Sequence, residues 1–191
     1  MKSLRLILCA MPLVLSGCST LSSVNWSAAN PWNWFGSSTE VTEQGVGALT
    51  ASTPLDEKAI TDALDGDYRL RSGMKTQNGN VVRFFEVMKE DKVALVINGD
   101  QGTISRIDVL DSDIPSQAGV EIGTPFSDLY SKAFGNCQKA TGDDSASVEC
   151  KAQDSQHISY LFSGEWNGPE GLMPPDDTLK NWKVSKIIWR R

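Results

Sequence analysis

Two Thr-Pro steps, Thr53-Pro54 and Thr124-Pro125, each open a helical pattern that is followed by a series of strand-like runs. That order, met twice, constrains the fold more than any other feature. Helix followed by strands joined through tight turns is the pattern of an α+β domain, with a mostly antiparallel sheet and two helices. In the first copy Thr53 suits the N-cap, Pro54 the first helical position, and Asp56 and Glu57 the positive end of the helix dipole. Leu55, Ala59, Ile60, Ala63 and Leu64 recur at helical spacing, and Gly66 can close the helix. Strands are expected over 68–75, 81–88, 93–97 and 103–110, with Asn78-Gly79 as a hairpin turn and 98–102 separating the last two.

The second copy starts at Thr124-Pro125 with Phe126, Leu129, Tyr130, Ala133 and Phe134, which form a complete helical stripe closed by Gly135. Strands are expected over 137–140, 147–152, 157–163 and 182–190. Short phrases echo between the copies: Ile104-Ser-Arg-Ile107 against Val184-Ser-Lys-Ile187, and Glu86-Val87 against Glu149-Cys150. Two accounts stand at this point. One is a tandem duplication of a helix-plus-four-strand unit, with half-repeats 53–110 and 124–191; the other is a chance echo within one domain, 53–191. The copies are separated by a crossover, 111–123. A Pro- and Gly-rich excursion, 164–181, interrupts the second and carries Trp166, Leu172 and Met173.

The N-terminus is an address. Lys2 and Arg5 precede an apolar stretch that ends at Leu15-Ser16-Gly17-Cys18. At about ten residues the stretch is too short to span a bilayer, which takes roughly 20. The tetrapeptide resembles the lipobox of bacterial lipoproteins, which implies a signal peptide over 1–17 and an acylated Cys18. Multiple acyl chains anchor stably where one does not. Ser19, a non-aspartate after the cysteine, implies the outer membrane by the same resemblance. Residues 18–52 are rich in Ser, Thr, Asn and Gly and read as a tether. Within it, Trp26, Trp32 and Trp34 are interface candidates. They suit either a membrane-interface anchor or docking segment, or else a spacer with incidental aromatics.

Removal of residues 1–17 takes away Lys2 and Arg5 and no acid, leaving 24 acids and a net charge of −8. Such a chain repels phosphates, so nucleic acid is not an expected partner. With Cys18 acylated, Cys137 and Cys150 remain as an even pair in an oxidising compartment and are expected to form a disulfide.

Catalytic signals are lacking. The single histidine, His157, sits in a strand-like run, and no nucleophile, phosphate-loop, dinucleotide or metal-ligand spacing is present. Acids cluster in turns, including Asp143-Asp144 and Asp176-Asp177, without the calcium-loop order. No catalytic residue, no metal and no cofactor is therefore expected.

Beyond the lipobox, Asn30-Pro-Trp-Asn-Trp-Phe-Gly36 and the stretch from Gly119 to Cys137 resemble the RpoE-regulated lipoprotein family of Gram-negative bacteria. The resemblance implies induction under envelope stress and supplies no activity. The run from Ile122 to Gly135 is also loosely similar to two interaction folds, the small lipoprotein of the outer-membrane β-barrel assembly machinery and the duplicated β-lactamase inhibitor. The expectation is a lipid-anchored binding module on the periplasmic face of the outer membrane. Its partner would be an envelope protein or cell-wall material, with Trp166 as a further interface candidate. An envelope hydrolase or metal-dependent enzyme using loop carboxylates is the rival.

Overall fold

The computed structural model describes residues 39–64, 68–77, 79–169 and 171–191. Cys18, Trp26, Trp32, Trp34, the expected signal peptide (1–17) and Gly66 lie outside the described residues. Among the described residues, eight strands form one antiparallel sheet: β4 Arg69–Gln77, β5 Asn80–Lys89, β6 Lys92–Asp100, β7 Thr103–Val109, β8 Cys137–Lys139, β9 Val148–Lys151, β10 Ile158–Ser163 and β11 Lys183–Arg190. Their order is β4-β5-β6-β7-β11-β10-β9-β8. The sheet is thus two four-stranded meanders joined through their last strands, with Ile187 paired to Val109 and Trp189 to Ile107.

Each Thr-Pro step pairs with the start of its own meander's last strand. Thr53 accepts from the Ile104 N–H while the Leu55 N–H donates to Gly102. Thr124 accepts from the Val184 N–H while the Phe126 N–H donates to Trp182. Pro54 and Pro125 form the matching antiparallel bridges, to Thr103 and Lys183.

This pairing corrects both helix expectations. Thr53-Pro54-Leu55 is spent on strand pairing, so helix α1 starts later, at Glu57–Ala63, capped by the Asp56 carboxylate on the Ala59 N–H at 2.9 Å. The second helix, α2, is a single turn, Phe126–Leu129, with no side-chain cap. Tertiary partners take the groups that would have continued it. The Ala133 N–H donates to Asp176 at 2.8 Å, and the Leu129 carbonyl accepts from the Gln153 amide at 3.0 Å. Phe126 is buried within α2, and Tyr130 and Ala133 remain buried beyond its end, whereas Phe134 is 85% exposed. A third short helix, α3 Asp176–Leu179, lies in the excursion expected to be loop.

The domain also starts earlier than Thr53. Short strands β1 Val41–Thr42, β2 Gly45–Val46 and β3 Leu49–Thr50 form a separate three-stranded sheet in the segment expected as tether. Val41, Val46 and Leu49 are fully buried in the main core. The Trp189 indole N–H donates to the Glu43 carbonyl at 3.1 Å, and the Val41 N–H donates to Pro115 at 2.9 Å.

Alternation along the strands puts Phe85, Val87, Leu95, Ile97, Ile107, Val109, Ile187 and Trp189 on one face. Ile60 of α1, Phe126 of α2 and Leu179 of α3 belong to the same core cluster. Edge-on aromatic packing tightens it, with Phe126 and Tyr130 at 5.1 and 5.9 Å from the Phe162 ring. Burying each such side chain contributes roughly 1.5–3 kcal/mol. Between β6 and β7 the expected loop is shorter than read: a bulge at Asn98/Gly99 carries β6 on to Asp100. A Cβ at Gly99 would meet Leu55 and the Thr103 carbonyl at 2.6 Å, so only glycine fits there.

Candidate functional site

The face opposite the core is polar. Register aligns Glu86, Val96, Asp108, Ile188, Ser159 and Lys151 in one row across the sheet. Phe84, Asn98, Arg106 and Arg190 form the next row, while Lys186, Leu161, Glu149 and Gln138 form a third at the β8 end. Among the described residues, a small cluster, Ala140 with Leu161 and Ile188, packs on this side. It lies under the loop between β8 and β9, whose one-turn 3-10 helix spans Gly142–Asp144.

Near the seam of β7 and β11, charge on this face is paired. Arg190 holds both Glu149 oxygens, one at 3.0 Å, and donates to the Ser159 hydroxyl at 3.0 Å. Arg106 donates to Asp108 at 2.6 Å, while Lys186 reaches Asp144 at 2.6 Å. Burial opposes the Glu149 charge, yet hydrogen bonds from Arg190 and Ser159 and the field of Arg190 and Arg106 hold its carboxyl below the usual range. Burial likewise disfavours the Arg106 charge, and Asp108, Glu149 and Asp144 outweigh it, so its pKa rises.

At the β8 edge these groups open into a cleft of about 610 Å³, whose lining includes Gln138, Thr141, Glu149, Lys151, His157, Ser159 and Arg190. Its lining is polar and charged. Ser159 donates to Glu149 at 2.5 Å, but a carboxylate held in its charged form by an arginine is a poor proton acceptor. His157 Nδ1 sits 2.7 Å from the Arg190 carbonyl, and its ring stacks 6.3 Å from that of Trp189. Among the described residues, no group of three or more His, Cys, Asp or Glu is placed to hold a metal ion.

Cys137 and Cys150 are register partners across β8 and β9 and are joined as a disulfide, with Cys137 on the cleft wall. Trp166, expected as a surface anchor, is half-buried against the core, packed over Gly168 with its indole N–H unpartnered. Leu172 in the same excursion is 57% exposed. Asp108, expected near the crossover, lies on β7 inside an ion pair, and Asp144, expected in a solvated loop, reaches back onto the sheet; Glu149, in an expected strand, is ion-paired to Arg190. The polar residues of this face were not singled out from sequence. Their signal was the interruption of two apolar strands at Ser105, Arg106 and Asp108 and at Ser185, Lys186 and Arg190.

Residues 23–191 match the family described as a protein of unknown function, DUF1131. The chain is 86% identical to the uncharacterized protein YfeY of Escherichia coli (strain K12), over all of both chains. It is also similar to the crystal structure of the uncharacterized protein yfeY from Escherichia coli, with a TM-score of 0.74 and 82% identity, over 80% of this chain and 100% of that one.

Proposed function

Because this chain belongs to the DUF1131 family, a family of unknown function, we propose its role from its own surfaces: it is a binding module of the bacterial envelope. It is tethered through an acylated Cys18 to the periplasmic face of the outer membrane and induced under envelope stress. The observation that carries this reading is one-sidedness. The helices and the short sheet of β1–β3 contribute to the core on one face of an eight-stranded sheet, and the other face presents paired charges and a cleft. A broad, preorganised polar face with satisfied ion pairs favours specificity in docking over turnover. The lipobox and Ser19 support the anchor and its destination. No described helix is long and apolar enough to cross a membrane.

We also read the chain as a tandem duplicate, 53–110 and 124–191. What supports it is the identical hydrogen-bond pattern at the two Thr-Pro steps and the mirrored order of the two meanders.

The test is site-specific photocrosslinking in living cells from Lys151 and Gln138, exposed residues on the polar face. The reading expects one dominant envelope partner captured from both positions and lost when Glu149→Lys is added. Hydrolysis of peptidoglycan, phospholipid or peptide by the purified lipoprotein, abolished by Glu149→Gln with the fold intact, would replace it with the enzyme reading.

A further inference from the structure

The two ends of the sheet are unequal. One is β8, three residues long and disulfide-linked to its neighbour. The other is β4, nine residues long, paired to β5 on one side only, and no other described strand or loop makes a backbone hydrogen bond to it. Its outward N–H and C=O groups form a ready template for another strand. The hairpin 69–83 holds four bases, Arg69, Arg71, Lys75 and Arg83, and no acid, in a chain whose net charge is −6.

Those charges are ordered. Register with Met88, Glu86 and Val82 puts Arg69, Arg71 and Lys75 on the polar-face side of β4, at alternate positions interrupted by Gly73. The Phe84 ring covers that gap: a Cβ on Gly73 would meet its Cζ at 2.4 Å. Lys75 Nζ sits 5.7 Å from the centre of the same ring. The ion pairs of this edge, Arg69 with Asp91 and Arg71 with Glu86, are solvent-exposed on the arginine side and weakly held, so a partner can exchange them. A second copy is the wrong partner, since antiparallel pairing about Gly73 would set Arg71 directly against Lys75.

We propose that β4 is a strand-addition site for an extended acidic segment of a partner protein, with acids at alternate positions facing Arg69, Arg71 and Lys75 and an apolar side chain between them over Phe84. Backbone pairing supplies affinity and the alternating side chains supply specificity. The proposal concerns the edge of the sheet and goes beyond the polar-face reading; failure here leaves crosslinking from Lys151 and Gln138 unaffected.

The experiment titrates the full mature lipoprotein, in uncharged detergent, against a labelled peptide as long as β4. The peptide alternates threonine with aspartate at the three cation-facing positions and with leucine opposite Gly73. Two backbone N-methylated forms block one or the other edge of the peptide without changing its charge. Binding of the parent is expected to weaken at least about tenfold in Arg71→Glu/Lys75→Glu. Only one of the methylated forms should bind, and β4 amides should gain exchange protection. Lys75→Glu alone, which breaks no ion pair, must show the same direction of effect if the double variant fails to fold. Equal binding of both methylated forms or of a sequence-scrambled peptide would reduce the site to diffuse charge and overturn the proposal, as would absence of binding.

Discussion

Arg106 and Arg190 stand directly opposite each other across β7 and β11, at the seam where the two meanders meet. Like charges so placed destabilise a sheet. Here each guanidinium has its own carboxylate, Asp108 for Arg106 and Glu149 for Arg190. The seam therefore depends on those acids.

Glu149→Gln should cost about 1–3 kcal/mol, because it leaves a half-buried arginine short of its partner. The folded pKa of Glu149 lies below its unfolded value. Its contribution is therefore complete above the ordinary glutamate pKa of about 4.3 and is lost as pH falls from there through the folded pKa. Denaturant titrations at neutral pH and at successively lower pH should show the wild type losing stability across that acid window faster than Glu149→Gln.

Reduction of the Cys137–Cys150 bond, or its replacement by serines, should lower stability by about 3 kcal/mol for a loop with a separation of 13. Hydrogen exchange should rise first in β8 and the 140–147 loop. Alkylation of both cysteines in the unreduced, unfolded protein would contradict the pairing.

Trp189→Phe keeps an aromatic ring in the core but removes the donor to the Glu43 carbonyl. A loss of about 1–3 kcal/mol is expected, with faster amide exchange concentrated over 41–50. Uniform exchange across the whole sheet would mean that this hydrogen bond does not hold the first short strands.

Trp166→Ala should destabilise by about 1–3 kcal/mol, whereas Leu172→Ser should stay within about 0.5 kcal/mol. Thermal melts of the two variants, read beside partner capture, separate packing from docking. A neutral Trp166→Ala would restore Trp166 as a surface anchor.

On the proposed lipid anchor, Cys18→Ala should release the protein from the outer-membrane fraction. Fractionation at high salt reads the outcome. Retention would shift the anchor to another part of the chain, the Trp26, Trp32 and Trp34 segment first.

Strands β5, β6, β10 and β11 were legible because each is rich in β-branched or aromatic residues between turn residues, as in Val81–Met88, whereas β4 showed only the alternation of Tyr68, Leu70 and Met74, and β8 has no such residue. The second helix was misread for a physical reason. Phe126, Tyr130 and Ala133 satisfy helical periodicity, but beyond the single turn of α2 the Leu129 carbonyl, the Tyr130 hydroxyl and the Ala133 N–H bond to Gln153, Lys151 and Asp176, and the chain runs on irregularly. Strands β1 to β3 escaped because two residues cannot show an alternation, although Val41, Val46 and Leu49 are core residues. The polar face was hidden because it exists only once register brings Arg106, Asp144, Glu149 and Arg190 together from distant positions. Local pattern carries no record of such meetings.

The mirrored meanders leave their first strands outermost, one long and bare, the other short and stapled. Fibre growth by sheet extension needs two mutually adhesive ends, so that each added copy offers a fresh one. Here the ends differ, nine residues in β4 against three in β8, and the longer end repels its own duplicate through Arg71 and Lys75. On the proposed strand addition at β4, such an edge recruits one strand and then stops.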